Sequence, residues 1–395
     1  MEGRPKARIE SIDLLRGVVI LLMALDHVRM YFGQGTWWAE PTNLHTTTPL
    51  LFLTRWITHF CAPVFIFLAG TSTYLYGARQ QSTGQVSRYL LKRGMWLIFL
   101  ELVIVNLGWT FDLTFSFRFL QVIWAIGVSM VILAGLVHLP KEATLAFGLV
   151  LVFGHNLLDP IQMQGTGVPA LIWYILHQKI VVMFGPNAVV YFHYPLLPLV
   201  GLMALGYVLG SLYRPEFGAA RRQRWLLWTG MAAMVLFLVL RGLNLYGDPN
   251  PWSRQLAPVY SIMSFLNTTK YPTSLHFLLM TIGPALVFLA LTEGIQSRVA
   301  GVVLTFGRVS LFFYLVHIYA IHLLALVPLE ISGRSWSEWI ITAEEFTGGS
   351  LADSGFNLVV VYLVWALVML EMFPLCKWYR AYKKGHPEQR LLAYL

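Results

Sequence analysis

The first long apolar segment of the chain, residues 12–31, carries an unusual number of ionisable side chains. They are Asp13, Arg16, Asp26, His27 and Arg29. A charged group at the centre of a membrane helix costs about 2.5–3.5 kcal/mol on insertion scales, so such groups face a protein interior or a water-filled cavity by default. Arg16 and His27 lie eleven residues apart, about three helical turns or 16 Å, and therefore lie on roughly one face. This spacing predicts a site that is reached from both faces of a membrane.

The neighbouring residues Asp26 and His27 have the chemistry of proton transfer. A histidine changes protonation near neutral pH, which suits a general base, and its ring can also carry an acyl group. We expect His27 to be the catalytic residue, with Asp26 or His59 tuning or orienting it. Asp26 could equally pair with Arg29, three residues later on the same helix. A lone buried histidine is more simply explained by a hydrogen bond to a neighbouring helix, but the adjacent carboxylate favours catalysis here.

Other polar side chains lie within the apolar segments that are predicted to span the membrane. Arg55 and His59 are four residues apart and share a helical face. Asp13 and Arg16 form a similar pair, three residues apart, near one membrane edge. The remaining polar groups in these segments include Glu101, Asn106, Arg241, Asn244, His276, His317 and His322. No HxxxH or HExxH spacing occurs in a predicted span, so we expect no metal site.

Composition places the chain among polytopic membrane proteins. Of its 395 residues, 57% are hydrophobic and only 12% are charged, whereas soluble domains have about 25% charged residues. The net charge of +9 comes from basic residues in short loops, which is typical of membrane topology rather than of nucleic-acid binding. Cys61 and Cys376 lie at opposite ends of this topology and predict no disulfide framework. The apolar start of the chain holds charges and lacks a cleavage site, so we expect no cleavable signal peptide.

The apolar segments predict an all-α polytopic membrane protein with about ten transmembrane helices. The predicted spans are 12–33, 50–77, 94–111, 118–138, 143–158, 195–213, 225–246, 273–293, 308–327 and 355–375. With both termini in the cytoplasm, the cytoplasmic segments hold 18 of the 28 basic residues, as the positive-inside rule requires. An eleventh span at 169–183 is an option, although Lys179 and His177 favour an outer re-entrant or interfacial segment. The predicted domains are a cytoplasmic segment (1–11), a transmembrane domain (12–375) and a basic cytoplasmic tail (376–395).

Five segments of the chain resemble bacterial members of the heparan-α-glucosaminide N-acetyltransferase family. In chain order they read SIDLLRGVVILLMALDHVRMYF, PTNLHTTTPLLFLTRWITHFCAPVFIFLAGTSTYLYG, LQVIWAIGVSMVI, YPLLPLVGLMALGYVLG and FGRVSLFFYLVHIYAIHLLA. The resemblance runs over about residues 9–327 and keeps the order of the segments. The spacing of Arg16 and His27 in the sequence is also similar to the Arg-x10-His motif of membrane O-acyltransferases that modify cell-envelope sugars.

This resemblance implies a membrane acetyltransferase. The donor would be cytoplasmic acetyl-CoA, and the acceptor an amino sugar or an envelope glycan on the far side of a bacterial cytoplasmic (inner) membrane. The predicted CoA contacts on the inner face are Arg16 with Asp13, Lys92, Arg93 and Arg308. The predicted acceptor contacts are Arg29, Glu40, His45, Arg55, Arg241 and His317. An oxyanion would be stabilised by Arg29, Arg55 or Asn106.

Several features stay open at this stage. N-acetylation and O-acetylation both fit, as do direct transfer and an acetyl-enzyme, and the chain could form a homodimer. The lysosomal enzyme of the family has an asparagine where Asp26 and His27 stand here, and its proposed catalytic histidine lies near the loop after the first span. His45 is the only histidine in that loop of this chain. The catalytic histidine is therefore His27, which we favour, or His45.

A proton-coupled transporter or exporter is the alternative function. Asp26, His27, Glu101 and His317 could form a proton relay within the membrane. Transporters commonly contain inverted repeats, and none is evident in this sequence, so we favour the enzyme. A non-catalytic scaffold protein is a third alternative, but it does not explain why so many ionisable groups lie within the apolar segments.

Overall fold

The computed structural model describes residues 9–35, 37–185, 187–386 and 388–389. The predicted terminal segments 1–11 and 376–395 lie partly outside these residues. Most of the described chain is helical, as the apolar segments predict. The helices are α1 (Glu10–Phe32), α2 (Pro49–Ile57), α3 (Cys61–Gly77), α4 (Thr83–Leu100), α5 (Asn106–Thr110), α6 (Val122–Leu136), α7 (Lys141–Gly154), α8 (Val168–Leu176), α9 (Leu197–Leu209), α10 (Ala219–Leu243), α11 (Pro258–Leu266), α12 (Leu275–Leu291), α13 (Arg298–Gly307), α14 (Ser310–Ile331), α15 (Ala343–Gly348) and α16 (Leu358–Gly385).

Among the described residues, four helical segments are long and apolar enough to cross a membrane. They are Pro49–Gly77, which joins α2 and α3, Ala219–Leu243, Ser310–Ile331 and Leu358–Gly385. The shorter apolar helical segments are Val122–Leu136, Leu197–Tyr213, Leu275–Leu291 and Arg298–Gly307. These segments support a multi-pass membrane protein. The count of ten spans and the cytoplasmic location of both termini stay predictions.

The all-α prediction leaves out three short strands that the described residues contain. They are β1 (Phe117–Leu120), β2 (Ile180–Met183) and β3 (Val189–Phe192), and they form one sheet in the order β1-β3-β2. Strand β3 pairs with β1 in parallel and with β2 in antiparallel orientation. Four-residue runs of aromatic and β-branched residues are too short for their periodicity to separate a strand from a helix. The helix predicted from residue 118 therefore begins only at Val122.

Two further segments concern the predicted topology: the first excludes the optional eleventh span, and the second differs from the prediction. Region 169–183 forms most of the nine-residue helix α8 and then strand β2, not one long helix. Nine residues rise about 13 Å, less than half of the roughly 30 Å hydrocarbon core, so this segment is not an eleventh spanning helix. Helix α13 occupies the region between the predicted eighth and ninth spans, where the sequence predicted only a loop.

Helix α1 is surrounded by α3, α13, α14 and α16, which all pack against it. The approach of α13 is especially close. A β-carbon on Gly307 would lie 1.9 Å from the carbonyl oxygen of Asp13, and one on Gly17 would lie 2.2 Å from that of Val303. Small residues let membrane helices approach to this distance. They hold the first turns of α1, which carry Arg16, firmly against the rest of the protein.

The second helical segment changes its geometry at His59. Thr48 caps the first turn of α2, and Pro49 follows it at a position that lacks an intrahelical acceptor. Farther along, Pro63 has no N–H group to donate to the carbonyl of His59, four residues earlier. The chain accordingly forms a 3₁₀ turn at Thr58–Phe60 before α3 begins. The side chain of His59 is buried at this turn.

Candidate functional site

A cavity opens beside the first half of α1. We call it the Arg16 cavity; it has a volume of about 260 Å³. Its polar lining includes Arg16, Ser72, Arg93 and Tyr314, and apolar side chains of α3, α4 and α6 complete its walls. Met23 of α1, one helical turn before His27, also lines this cavity. The cavity therefore extends from the first turns of α1 toward the predicted catalytic residue.

A second cavity, the Arg55 cavity, has a volume of about 320 Å³ and a mostly polar lining. The lining includes Glu40, Asn43, Arg55, His59, Lys179 and Lys270. Arg55 is bound to Asp26 of α1, which lies ten residues beyond Arg16. Ten helical residues rise about 15 Å. The two cavities are thus associated with different ends of the same helix.

Arg16 is held by two neighbours where it lines the first cavity. Its guanidinium donates to the Asp13 carboxylate at 3.1 Å and to the hydroxyl of Ser72 on α3. The predicted pair of Asp13 and Arg16 is therefore confirmed as a contact. Arg93 of α4 lines the same cavity. Two guanidinium groups on different helices thus face one space, an arrangement that suits phosphate oxygens.

The other basic residues predicted to contact CoA lie outside this lining. Arg308 donates to Glu10 at 2.8 Å, and its Nε atom lies 3.8 Å from a carboxylate oxygen of Asp13. Lys92 is exposed on α4. Only Arg16 and Arg93 of the predicted set are brought together at the Arg16 cavity.

Asp26 is buried between two guanidinium groups. Arg29 donates to one carboxylate oxygen from Nε and Nη2 at 3.3 and 3.2 Å, as its spacing predicted. Arg55 on α2 donates to the other oxygen. Because two cations share one carboxylate, the cluster keeps a net positive charge. The Asp26 carboxylate accepts hydrogen bonds from the two arginines, and a different residue contacts the ring of His27.

That residue is His317 on α14. Its Nδ1 atom lies 2.8 Å from the carbonyl oxygen of Phe313, which can only accept, so Nδ1 carries the hydrogen. In the neutral ring Nε2 is then an acceptor, and it lies 2.8 Å from Nδ1 of His27. His317 is completely buried, and burial without a paired carboxylate favours the neutral form. His27 therefore donates from Nδ1, which leaves the lone pair of its Nε2 atom available as a base.

The predicted acceptor contacts divide into two groups. Glu40 and Arg55 line the Arg55 cavity together with His59. The ring centroid of His59 lies 5.1 Å from that of Phe277, and its Nδ1 atom has no hydrogen-bond partner among the described residues. His45 is exposed on the loop before α2 and does not belong to the cavity lining.

Arg241 and Asn106 are engaged elsewhere. The guanidinium of Arg241 is buried and donates at 2.8–3.0 Å to the backbone carbonyls of Phe265, Asn250, Ser264 and Asn267. The side-chain amide of Asn106 donates to the carbonyl of Phe117 at 3.1 Å and accepts from the N–H of Phe119 at 2.9 Å. Arg241 thus binds the end of α11 and the loops on either side of it to α10, and Asn106 binds strand β1.

Lys179 and Lys270 belong to the Arg55 cavity although the sequence analysis did not select them. Their ammonium nitrogens lie 5.3 and 5.1 Å from the ring centroid of Tyr271. Burial, and after it the charge of Arg55, lowers the pKa of Lys270 to about 7. Burial also lowers the pKa of Lys179. The sequence feature that could have identified Lys179 and Lys270 is that basic residues are rare in the predicted outer loops.

Comparison with protein-family models gives two matches. Residues 8–246, more than half of the chain, match the catalytic region of heparan-alpha-glucosaminide N-acetyltransferase. Residues 201–348 match the OpgC protein. No curated protein matches the chain. The first match contains α1 with Arg16 and His27, and the second contains α14 with His317.

Proposed function

The chain belongs to the heparan-alpha-glucosaminide N-acetyltransferase family, and we propose that it transfers an acetyl group from acetyl-CoA to an amino sugar or envelope glycan. One observation carries this proposal: His27, whose Nδ1 atom contacts His317, lies one helical turn beyond Met23, which lines the Arg16 cavity, and next to Asp26, which binds Arg55 of the Arg55 cavity. A base positioned between a donor site and an acceptor site is what direct transfer requires.

The donor belongs in the Arg16 cavity. Ligand pockets that enclose a whole small molecule typically hold about 300–1,000 Å³. The Arg16 cavity, at about 260 Å³, is suited to one end of a long ligand, namely the thioester with part of its flexible arm. Arg16 and Arg93 supply planar, permanently charged donors for phosphate oxygens. In the orientation that the positive-inside rule favours, this cavity faces the cytoplasm.

The acceptor belongs in the Arg55 cavity. Its lining provides amide and hydroxyl groups that can hydrogen-bond sugar hydroxyls, namely Asn43, Asn250, Asn267 and Thr269. Glu40 supplies a carboxylate that can accept a hydrogen bond from a neutral amino group or a hydroxyl. In the same orientation this cavity opens on the extracytoplasmic face of a bacterial cytoplasmic membrane.

The transfer step uses Nε2 of His27. The acceptor nitrogen or oxygen attacks the thioester carbon while Nε2 removes its proton, and the carbonyl electrons move onto oxygen. Collapse of this intermediate breaks the carbon–sulfur bond, and the thiolate of CoA takes the proton from His27. General acid–base catalysis of this kind contributes about 10²–10⁴-fold. The same nitrogen is the one that would carry the acetyl group in an acetyl-enzyme.

Two measurements on the purified full chain test the proposal. The first is the thermal stability of the detergent-solubilised protein during titration with acetyl-CoA, because a ligand at 100 times its dissociation constant stabilises by about 2.7 kcal/mol. The second is release of free CoA thiol with labelled acetyl groups appearing on glucosamine or on a glycan. His27→Ala should abolish transfer and keep the thermal shift, whereas His45→Ala should keep both.

The opposite outcomes have clear meanings. Wild-type turnover by His27→Ala would remove His27 from the mechanism and leave His45 or His59. A well-folded protein with no thermal shift and no thiol release, which accumulates a solute in vesicles when a proton gradient is applied, would be a transporter.

A further inference from the structure

Among the described residues, two buried hydrogen-bond donors beside His27 have no acceptor in hydrogen-bond geometry. Trp109 on α5 and Tyr314 on α14 both pack against the imidazole, with ring centroids 4.7 and 6.2 Å away. Trp109 is fully buried and Tyr314 is 4% exposed. Neither the indole Nε1 of Trp109 nor the hydroxyl of Tyr314 has a hydrogen-bond partner within the described part of the chain.

Two side chains of the surrounding aromatic cluster are paired, whereas the indole N–H of Trp37, whose ring centroid lies 5.6 Å from that of Trp109, has no partner among the described residues. The hydroxyl of Tyr31 donates to the backbone carbonyl of Trp109 at 2.6 Å. The ring nitrogens of His322 lie 2.9 Å from the carbonyl oxygens of Gly108 and Trp339, so a hydrogen on either nitrogen has an acceptor. Buried polar groups in folded proteins nearly always find partners, and exceptions call for an explanation such as catalysis.

The two unpaired donors are close to each other and to a cavity. The indole of Trp109 is near enough to the Tyr314 hydroxyl to interact with it, but the two do not meet the geometry of a hydrogen bond. Tyr314 lines the Arg16 cavity, where we place the thioester. An acceptor atom that entered from this cavity could therefore receive both hydrogens beside the imidazole of His27.

The residues that the sequence suggested for stabilising an oxyanion already have hydrogen-bond partners. Arg29 and Arg55 are bound to Asp26. Both atoms of the Asn106 side-chain amide are bound to the backbone of β1. Trp109 and Tyr314, by contrast, have at most each other as partners among the described residues, and both rings pack against the base.

We propose that the Trp109 N–H and the Tyr314 O–H form the oxyanion hole for the thioester carbonyl. The assignment rests on the proposed acetyl transfer. When the acceptor attacks, the carbon–oxygen double bond becomes a single bond and its electron pair resides on oxygen, where the two donors stabilise it. When the carbon–sulfur bond breaks, the double bond re-forms, the donors release the oxygen, and the thiolate takes the proton from His27. Such donors act on the transition state more than on the bound substrate.

Tyr314→Phe is the main test because it removes one oxygen and keeps the ring. Loss of one oxyanion-hole donor lowers kcat by about 10²–10³-fold, so we expect a fall of that size in acetyl transfer. The thermal shift with acetyl-CoA and the KM for the donor should stay at the wild-type values. The melting temperature should not fall, since the hydroxyl that is removed has no partner in hydrogen-bond geometry within the described part of the chain. Tyr213→Phe is the matched control, because it too removes a buried hydroxyl with no partner in hydrogen-bond geometry among the described residues, but it lies in the turn after α9.

Trp109→Phe tests the second donor, with Trp96→Phe as its control, since the Trp96 indole also lacks a partner. The smaller ring lowers stability in either case, so kcat is expressed per folded protein and compared between the two variants. We expect at least a tenfold lower kcat for Trp109→Phe than for Trp96→Phe. A wild-type kcat in Tyr314→Phe would overturn the assignment of Tyr314 to an oxyanion hole. A lowered kcat accompanied by a lost acetyl-CoA shift and a lower melting temperature would assign Tyr314 a structural role instead and would overturn it as well.

These outcomes separate the two proposals. If the wild-type protein transfers no acetyl group to any acceptor tested, the proposed function is wrong, and the assignment of the oxyanion hole, which depends on it, is wrong as well. If the wild type is active, His27→Ala is inactive and Tyr314→Phe is fully active, the function stands and only this inference fails.

Discussion

The Nδ1 atom of His27 lies 2.8 Å from the Nε2 atom of His317, although 290 residues separate them in the chain. The contact exists because α14 packs directly against α1. The sequence suggested His317 as an acceptor contact or as part of a proton relay. In the structure it is the partner that determines which nitrogen of His27 carries a hydrogen. A chain that runs from the Phe313 carbonyl through His317 to His27 thus orients the predicted base.

His317→Ala should therefore lower kcat with little change in the KM of either substrate. Without an acceptor for Nδ1–H, the His27 ring can rotate and can place its hydrogen on Nε2, where it blocks proton removal. The loss should be smaller than the about 10²–10⁴-fold expected when the base itself is removed. Steady-state kinetics of acetyl transfer by His317→Ala and His27→Ala would compare the two effects.

The control for this prediction is His317→Gln, whose side-chain carbonyl can still accept a hydrogen bond. It should recover part of the lost kcat. Equal activity in His317→Ala and the wild type would show that the imidazole contact does not orient His27 during turnover.

Arg16→Ala should weaken binding of acetyl-CoA. Hydrogen bonds to charged groups contribute about 1.5–3 kcal/mol, which corresponds to a roughly 10–150-fold higher dissociation constant. Arg308→Ala should have a smaller effect, because Arg308 is engaged by Glu10 and does not line the cavity. The measurement is the concentration of acetyl-CoA that gives the half-maximal thermal shift. Unchanged affinity in Arg16→Ala would refute its role as a phosphate contact.

The interactions within one helix could be predicted from the sequence. Residues three or four apart share a helical face, and the structure contains both predicted pairs, Asp13 with Arg16 and Asp26 with Arg29. The spacing of Arg16 and His27 likewise placed them on one helix, with Arg16 at the cavity that reaches toward His27. Helical periodicity is local, so a single sequence contains the information.

The contacts between helices could not be predicted in this way. Arg55 reaches Asp26, and Tyr314 reaches His27, only because of how α2 and α14 pack on α1. The sequence on either side of a polar residue does not show whether the hydrogen bonds of that residue will be satisfied in the folded protein. Arg241 looked like Arg55 in sequence, as a cation near the outer end of an apolar segment, yet the fold surrounds it with backbone carbonyls.

Arg241→Met should destabilise the protein strongly and should act through folding. Besides its four carbonyl acceptors, Arg241 lies 3.8 Å from the carboxylate of Asp248, whose side chain is fully buried. Removing one member of a buried ion pair leaves an uncompensated charge and costs about 3–5 kcal/mol. We expect a lower melting temperature and a lower yield of folded protein, with kcat per folded molecule close to wild type. The exposed Arg254 in the same loop provides the control, and Arg254→Met should leave the melting temperature unchanged.

The double variant Arg241→Met/Asp248→Asn separates the charge from the carbonyl contacts. If the unpaired carboxylate dominates, neutralising it should restore part of the lost stability. A normal melting temperature in the single variant, combined with a raised KM for the acceptor, would instead return Arg241 to the acceptor site.

Lys270→Met should alter how the stability of the protein depends on pH. The pKa of Lys270 is lowered to about 7 in the folded protein, first by burial and then by the charge of Arg55, whereas an unfolded lysine has a pKa of about 10.4. Between these values the unfolded chain binds more protons than the folded one, so this group makes stability rise as the pH increases from about 7 toward 10. Below pH 7 the folded protein must hold a charged, half-buried ammonium beside another cation, and the contribution of Lys270 is then least favourable.

Melting temperatures of the wild type and Lys270→Met, measured from pH 6 to pH 10, would show this effect. The variant should be more stable than the wild type at pH 6, and the difference should shrink as the pH rises through the window. Lys377→Met, which removes an exposed lysine from α16, should follow the wild-type profile throughout. Parallel profiles for Lys270→Met and the wild type would mean that Lys270 keeps its proton in the cavity, and that the Arg55 cavity holds its full positive charge across this range.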